Sequence, residues 1–405
     1  MKNIFPHKRL AFVTIIMATS VFILTQCVEN KQEEKKIIKN LKGQEYAGTA
    51  SCRNCHREIY DSFSTTMHHL ASGLASKDYI KGSFNVPENV FVLDSLQQVV
   101  MEERTNGLYQ AARINGRETR AQRFDIVIGS GKKGQTYLYW TNGELNQLPV
   151  SYLASAHSWV NSPGYSPKEI FFDRGIEARC MECHTTITKK EIYTSFYLPD
   201  QIIYGVDCER CHGPAAEHVT FHSQNPDEKK GMFIINTALL SRQQALDACG
   251  MCHSGIIQNK TSVFSFQPGD TLEHHFYKNN TTTDTSLDVH ANQYGLLASS
   301  KCFIVSGTMT CSSCHNPHVK EKGDLSVYAQ KCMGCHSVNN HNFCTLQPTQ
   351  GFSLEANCIN CHMPNKDSRI INMLSSGTAA LIPEVVRSHR IAVYPQETKK
   401  WMGIH

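Results

Sequence analysis

The chain has 405 residues, 40% of them hydrophobic, with a formal charge of +4 and the unusual totals of 17 Cys and 20 His. That length asks for two or three packing units, and nothing beyond the first 26 residues is apolar enough to span a membrane. No Lys/Arg stripe interleaved with aromatic residues is present, which excludes a nucleic-acid partner. So many cysteines require bound metal or cofactor, or disulfides in an oxidising compartment.

Taken in chain order, Lys2, Lys8 and Arg9 precede an apolar run from Leu10 to Thr25. At 1.5 Å per residue that run makes a helix of about 24 Å, short of the roughly 30 Å hydrocarbon core, so residues 1–26 read as an export signal. Leu24-Thr25-Gln26-Cys27 resembles a bacterial lipoprotein signal in which Cys27 carries the lipid, although Gln26 is larger than the usual residue there. The charged stretch 27–45 reads as a tether. A first Cys-rich segment, 46–75, includes Glu58–Ser72, whose Ile59, Phe63, Met67 and Leu70 form one stripe of an amphipathic helix. The Cys-free unit 76–179 holds β-favouring runs at Val90–Leu93, Gln98–Met101, Tyr109–Ile114, Arg123–Ile128 and Tyr137–Trp140. Turn signals at Asn106-Gly107, Asn115-Gly116, around Lys132 and at Asn142-Gly143 separate them, so a small antiparallel β-unit is expected. Gly129–Thr136 superficially matches a phosphate-binding loop, but Gln135 stands where the lysine belongs and strand-like runs flank it, so a glycine-rich turn is expected. Residues 180–395 form a six-motif region with a C-terminal tail, and most of 200–300 shows neither helical nor strand period. The fold class expected is mainly α and irregular, packed around haem, with the β-unit after the first motif.

Seven Cys-x-x-Cys pairs occur, and His follows every one: Cys52/Cys55/His56, Cys180/Cys183/His184, Cys208/Cys211/His212, Cys249/Cys252/His253, Cys311/Cys314/His315, Cys332/Cys335/His336 and Cys358/Cys361/His362. Two thiols three residues apart on a turn reach the two vinyl groups at one edge of a haem, and the next imidazole becomes the proximal iron ligand. A thioredoxin-like site needs one such pair, and zinc ribbons use pairs two at a time with no reason for the following His. At this His frequency, seven successive hits by chance are on the order of 10⁻⁹. Seven covalently bound haem c groups are therefore expected, and their propionates would make the holoprotein acidic. Cys302 and Cys344 remain, and in an oxidising compartment they read as a disulfide.

Seven sixth positions need distal ligands. His318 follows a proximal His by three residues on a Pro-containing turn, and His218 follows CERCHGPAAEH. His68 or His69 lies after the first motif, His290 precedes the fifth, and His389 lies in the tail. His157, His222, His274, His275 and His341 rank lower, and His274-His275 with Glu273 reads as a solvated loop. Bis-His ligation would make these low-spin, low-potential centres.

YAGTASCRNCHREIYDSFSTTMHHLAS, GVDCERCHGPAAEH, MTCSSCHNPH, CINCHMP and the trailing SHRI resemble the cytochrome c-554-type multihaem family over nearly all of 46–395. The resemblance implies that His68, His218, His290, His318 and His389 are distal ligands and favours His68 over His69. The family's founder has four haems, and this chain departs from it in having seven motifs and the inserted β-unit. The family also contains enzymes, so function rests on the sites.

The function expected is electron transfer through a chain of mostly bis-His haems in an extracytoplasmic, periplasmic lipoprotein held to the membrane through Cys27. The partner is a redox protein, donor or acceptor, with a membrane quinol-side complex as one candidate. The alternative is a reductase or oxidase of a small nitrogen or sulfur compound at one five-coordinate haem.

Overall fold

The computed structural model describes residues 37–402 apart from 192, 193, 195, 256, 278–286, 321, 322, 324 and 347–352. The export signal, Cys27 and most of the tether lie outside the described residues. The chain divides into units 1–37 and 38–405, and apart from Ile37 everything below belongs to the second.

Two antiparallel sheets fill the Cys-free stretch. One joins β2 (Val90–Val92), β3 (Gln97–Arg104), β4 (Gly107–Ile114) and β5 (Arg117–Arg123) in sequence order. The other runs β1 (Ser72–Leu74), β6 (Ile126–Ile128), β7 (Gly134–Thr141), β8 (Glu144–Gln147), β11 (Arg174–Gly175), with β9 (Val150–Leu153) on β7 and β10 (Ser158–Asn161) on β9. The hairpin turns follow from their residues. Asn115-Gly116 has φ of 51° and 74°, and Asn142-Gly143 has 48° and 84°. Both dipeptides thus take the left-handed pair that matches strand twist. The glycine-rich stretch after Ile128 is the connection into β7. The expected run Arg123–Ile128 is broken instead of continuous. The chain crosses between sheets at Phe124-Asp125, where Asp125 Oδ2 accepts the Trp140 N–H at 2.7 Å.

The sheets share one core, with Phe91, Val99 and Met101 of one facing Tyr137, Tyr139, Val150 and Trp159 of the other. Trp159 donates from Nε1 to the Ser83 carbonyl at 2.9 Å, and its ring covers Gly82 so closely that a Cβ there would lie 2.2 Å from Cζ2. A second core ties β6, β7 and β8 to Met181 and to a hairpin of β12 (Thr185–Lys190) and β13 (Tyr197–Tyr204) through Ile187, Tyr197 and Ile202. A last hairpin, β14 (Asn365–Leu374) with β15 (Leu381–Arg387), follows the seventh motif.

The expectation of a mainly α and irregular chain is corrected here: the described residues hold fifteen strands beside twelve short helices. Polar composition concealed several strands. Gln147 and Ser151 are buried yet bonded to Thr136 Oγ1 at 2.8 and 3.0 Å, so they satisfy themselves inside the sheet without an apolar alternation. The helix expected over Glu58–Ser72 is also shorter, ending at Phe63. Ser64 and Thr65 turn their hydroxyls onto the Asp61 and Ser62 carbonyls, which competes with helix propagation. Ile59 and Met67 are more than half exposed, and of the stripe Phe63 alone is buried. Past residue 300 few side chains are buried, Phe303, Ala329 and Ile359 among them.

Gly82→Ala forces the Trp159 ring from its bed and should lower stability by about 1–3 kcal/mol. A shifted urea midpoint in the purified holoprotein checks this.

Candidate functional site

Each Cys-x-x-Cys-His turn is closed by the backbone. The His56, His315 and His336 N–H groups return to the carbonyls of Cys52, Cys311 and Cys332 at 2.9, 3.0 and 2.8 Å. The helices Ala178–His184, Cys208–His212, Arg242–His253 and Leu354–His362 end on the other four. One helical turn puts residues i, i+3 and i+4 on a single face, so both thiols and the imidazole of a motif point the same way.

The residues around the thiols fasten one motif to another. Glu209, 3% exposed, accepts the Ala47 and Gly48 N–H groups at 2.8 and 2.9 Å and the Ala215 N–H at 2.8 Å. Burial raises its pKa, against those N–H bonds. Asp207 takes the Thr49 hydroxyl at 2.5 Å and the Cys208 N–H at 2.8 Å, with His69 Nδ1 3.3 Å away. Burial pushes this carboxyl up, but bonds from His69, Thr49 and Cys208 outweigh it and hold the pKa below the usual range. Glu182 is wholly buried between Arg179 Nη1 at 2.7 Å, Asn259 Nδ2 at 3.1 Å and the Phe264 N–H at 2.7 Å.

The thiols of different motifs adjoin. Cys52 hydrogen-bonds Cys208, Cys183 bonds Cys252, and Cys249 bonds Cys311. The contact lowers the pKa of Cys52, Cys183 and Cys311 and raises that of Cys208, Cys252 and Cys249, to which burial adds. Cys249 is also within electrostatic reach of Cys211, and Cys332 within reach of Cys358 and Cys314. All seven motifs thereby join in one unbroken series of neighbours.

Two of the expected attachment thiols depart from the packed arrangement. Cys55 and Cys335, the second cysteines of the first and sixth motifs, are exposed at the surface. Their turns are formed, since the Cys55 and Cys335 N–H groups reach the Cys52 and Cys332 carbonyls at 3.3 and 3.1 Å. The reason lies in which cysteine of each pair meets a neighbour: Cys52 lies against Cys208, and Cys332 against Cys358 and Cys314. The inward place is taken by the first thiol, and the second is left on the outer side. Asn340 and Asn342 cover the backbone of Cys335, donating to its carbonyl at 3.1 and 3.0 Å, without covering the sulfur. The expectation of thiols enclosed around haem is thus corrected at Cys55 and Cys335, where one edge of the site opens to solvent.

The expected disulfide is not formed. Cys302 and Cys344 are both free, the first beside Cys332 and the second beside Cys358 and Cys361.

Three of the candidate distal imidazoles face a proximal one. Ring centroids are 6.2 Å apart for His68 and His253, 6.1 Å for His318 and His212, and 6.1 Å for His389 and His315. Two metal–nitrogen bonds of about 2 Å plus two ring radii of about 1.1 Å span nearly that distance, so these pairs fit a metal held between them. His290 is a charge neighbour of His184, whose imidazole bonds the Ala71 carbonyl. His218 lies 4.5 Å from His222, ring to ring. The structure gives His56 a place at the start of the helix Arg57–Phe63.

Hydrogen bonding fixes which ring nitrogen is available. Nδ1 of His212, His218, His362, His389 and His336 meets the carbonyls of Ile235 (2.9 Å), Met232 (2.7 Å), Ala392 (2.9 Å), Arg387 (3.3 Å) and Asn342 (3.3 Å). His253 Nδ1 meets Gln293 Oε1 at 3.0 Å. Carbonyl oxygens only accept, so the proton sits on Nδ1 and the Nε2 lone pair is free for a metal. Burial, followed by the neighbouring imidazoles His253 and His315, pushes His68 down to about 4. Burial likewise lowers His389 to about 4, against its bond to the Arg387 carbonyl, with His315 contributing. Both rings are then neutral ligand donors at physiological pH.

Of the pair His68 and His69, the second turns toward Asp207, while the His68 carbonyl accepts the Val206 N–H at 2.8 Å and its ring faces His253. His275 bonds Ser265 and Asp270 at 3.0 and 3.4 Å, at the end of the short helix Leu272–His275. His157 lines a surface cleft, and His274 and His341 are exposed. Sequence reasoning passed over Glu209, Asp207 and Gln293 as partners of the motifs. The first two stand inside or beside a motif, and an acidic residue in the Cys-x-x-Cys spacer was the available signal.

Glu209→Ala leaves three buried N–H groups without their acceptor. It should cost about 3 kcal/mol, against no change for the exposed Glu58→Ala, in parallel denaturant titrations.

Residues 158–213, which include the second and third motifs, match the family model described as cytochrome c554 and c-prime. No curated protein matches the chain. Among solved structures, the crystal structure of the outer cell wall cytochrome OcwA is similar, with a TM-score of 0.53 and 16% sequence identity over 88% of this chain and 82% of that one. The chain thus shares the fold of that cytochrome. No described helix is long and apolar enough to cross a membrane.

Proposed function

We propose that the chain is an exported heptahaem c-type cytochrome that transfers electrons along a continuous series of mostly bis-His haems. The observation that carries this reading is the pairing of imidazoles at 6.1–6.2 Å in three places, each joining a motif His to a His distant from it in the fold or the sequence. The likeness to the cytochrome c554 and c-prime model and to the OcwA fold supports it.

Haem c would supply one-electron iron chemistry. The chain's own residues bind, ligate and space it. Fourteen thiols in seven pairs would attach it, with His56, His184, His212, His253, His315, His336 and His362 as proximal ligands. His68, His290, His318 and His389 would complete the fourth, second, third and fifth motifs, and His218 one further centre. Nδ1 acceptors fix ring orientation, and the adjoining thiols place successive attachment points side by side, so that electrons need no diffusing carrier inside the body. The exposed Cys55 and Cys335 would leave the first and sixth centres nearest to solvent, where a redox partner can approach.

The leader 1–26 and Cys27 support export and a lipid tether, and the outer-cell-wall description of the similar cytochrome supports an extracytoplasmic location. A redox protein, donor or acceptor, is the proposed partner.

Two measurements test this reading. Denatured mature protein should exceed its polypeptide mass by seven haems, and a smaller excess removes the heptahaem count. In EPR spectra, His68→Ala should convert one low-spin haem to high-spin and His69→Ala none. A wild-type high-spin haem that binds CO or nitrite would instead favour the reductase or oxidase alternative.

A further inference from the structure

His290 differs from the other candidate ligands in what its Nδ1 faces. His212, His218, His253, His336, His362 and His389 meet neutral oxygens. His290 donates instead to a carboxylate, Oε2 of Glu384, whose side chain is 14% exposed. The contact is over-determined from both sides. Glu384 projects from β15, and Asp288, two residues before His290, grips the same hairpin in return. Its carboxylate accepts the His290 N–H at 2.8 Å, the Ser368 hydroxyl at 2.8 Å and the Arg369 N–H at 2.6 Å. Val289 and Val386 are buried together beneath this latch. Neither side chain of the His290–Glu384 pair can swing away without breaking the loop from the hairpin.

We infer that Glu384 is a positioning residue that sets His290 and lowers the reduction potential of the haem attached at Cys180 and Cys183. This rests on the reading of His290 as the distal partner of His184. A carboxylate acceptor draws the Nδ1 proton toward itself and leaves more electron density at Nε2. A more basic ligand favours the higher oxidation state of a bound iron, and second-shell hydrogen bonding of this kind is one of the levers a protein has on haem potential. A neutral carbonyl acceptor polarises the ring less. The electron series is accordingly uneven by construction: one member is held more firmly in its oxidised state than those whose imidazoles bond to backbone alone. On its far side Glu384 lines a surface cleft of about 260 Å³ with Lys132, Lys133 and His157, so the carboxylate also connects that centre to a polar opening.

The test uses the holoprotein with two substitutions, followed by spectropotentiometric titration and low-temperature EPR. Glu384→Gln is nearly isosteric and keeps an acceptor while removing the charge. The midpoint of one haem should rise and one low-spin signal should shift, with the remaining haems unmoved. His290→Ala should convert a low-spin haem to high-spin, and that haem should be the one Glu384→Gln moved. If His290→Ala converts a haem but Glu384→Gln leaves every midpoint and signal in place, the role of Glu384 is overturned and the ligand reading stands. If His290→Ala converts none, the ligand reading of His290 fails, and the inference with it.

Discussion

Carboxylates buried inside and beside the Cys-x-x-Cys turns hold the motif region together. A charge removed from water is tolerated only where donors converge on it, and Glu182, Asp207 and Glu209 each collect three or more. Their donors come from residues 47–49, 69, 215 and 259–264, which belong to other parts of the chain. The same residue that separates two thiols therefore also clamps a neighbouring segment. In a region where apolar side chains are sparse, this converging polar network supplies specificity that a larger hydrocarbon core would otherwise give.

The β-sandwich solves the opposite problem. Between Ser72 and Gly175 the chain has no thiol to anchor it, and it builds a core of aromatic and aliphatic side chains in the ordinary way, with Trp159, Tyr137 and Phe91 at its centre. Motif-bearing helices then dock on its edge through Met181 and the β12–β13 hairpin. One half of the architecture rests on side-chain packing and the other on bonds that radiate from short turns.

How much of this is legible in the sequence depends on the range of the interaction concerned. The motif turns, and the strands around Asn115-Gly116 and Asn142-Gly143, are encoded within a few residues, and spacing or a dipeptide reveals them. Spacing does not reveal which thiol of a pair faces outward, as Cys55 and Cys335 do, because that depends on the motif packed alongside. Strands β8–β10 are polar and hidden, because their buried Asn, Gln and Ser side chains are satisfied by partners on other strands. The stripe from Ile59 to Leu70 misled for a similar reason: hydroxyls at Ser64 and Thr65 end the helix before its period completes. Which His faces which depends on chain segments up to about 185 residues apart, as for His68 and His253, and spacing is silent there. The Glu384 carboxylate is the extreme case, since nothing near it marks it as the companion of His290.

The thiols of Cys52 and Cys208 adjoin although roughly 150 residues separate them, and a flexible chain of that length would pay a loop-closure entropy that grows with the logarithm of its length. The sandwich occupies most of the interval. Once folded it shortens the effective loop to a few residues at either end, so the first motif is delivered to the others by a rigid spacer. Melting of the strands would therefore be felt by the first centre at a distance, as a loss of proximity in place of a loss of contact, and the two halves of the molecule are thermodynamically linked through chain length alone.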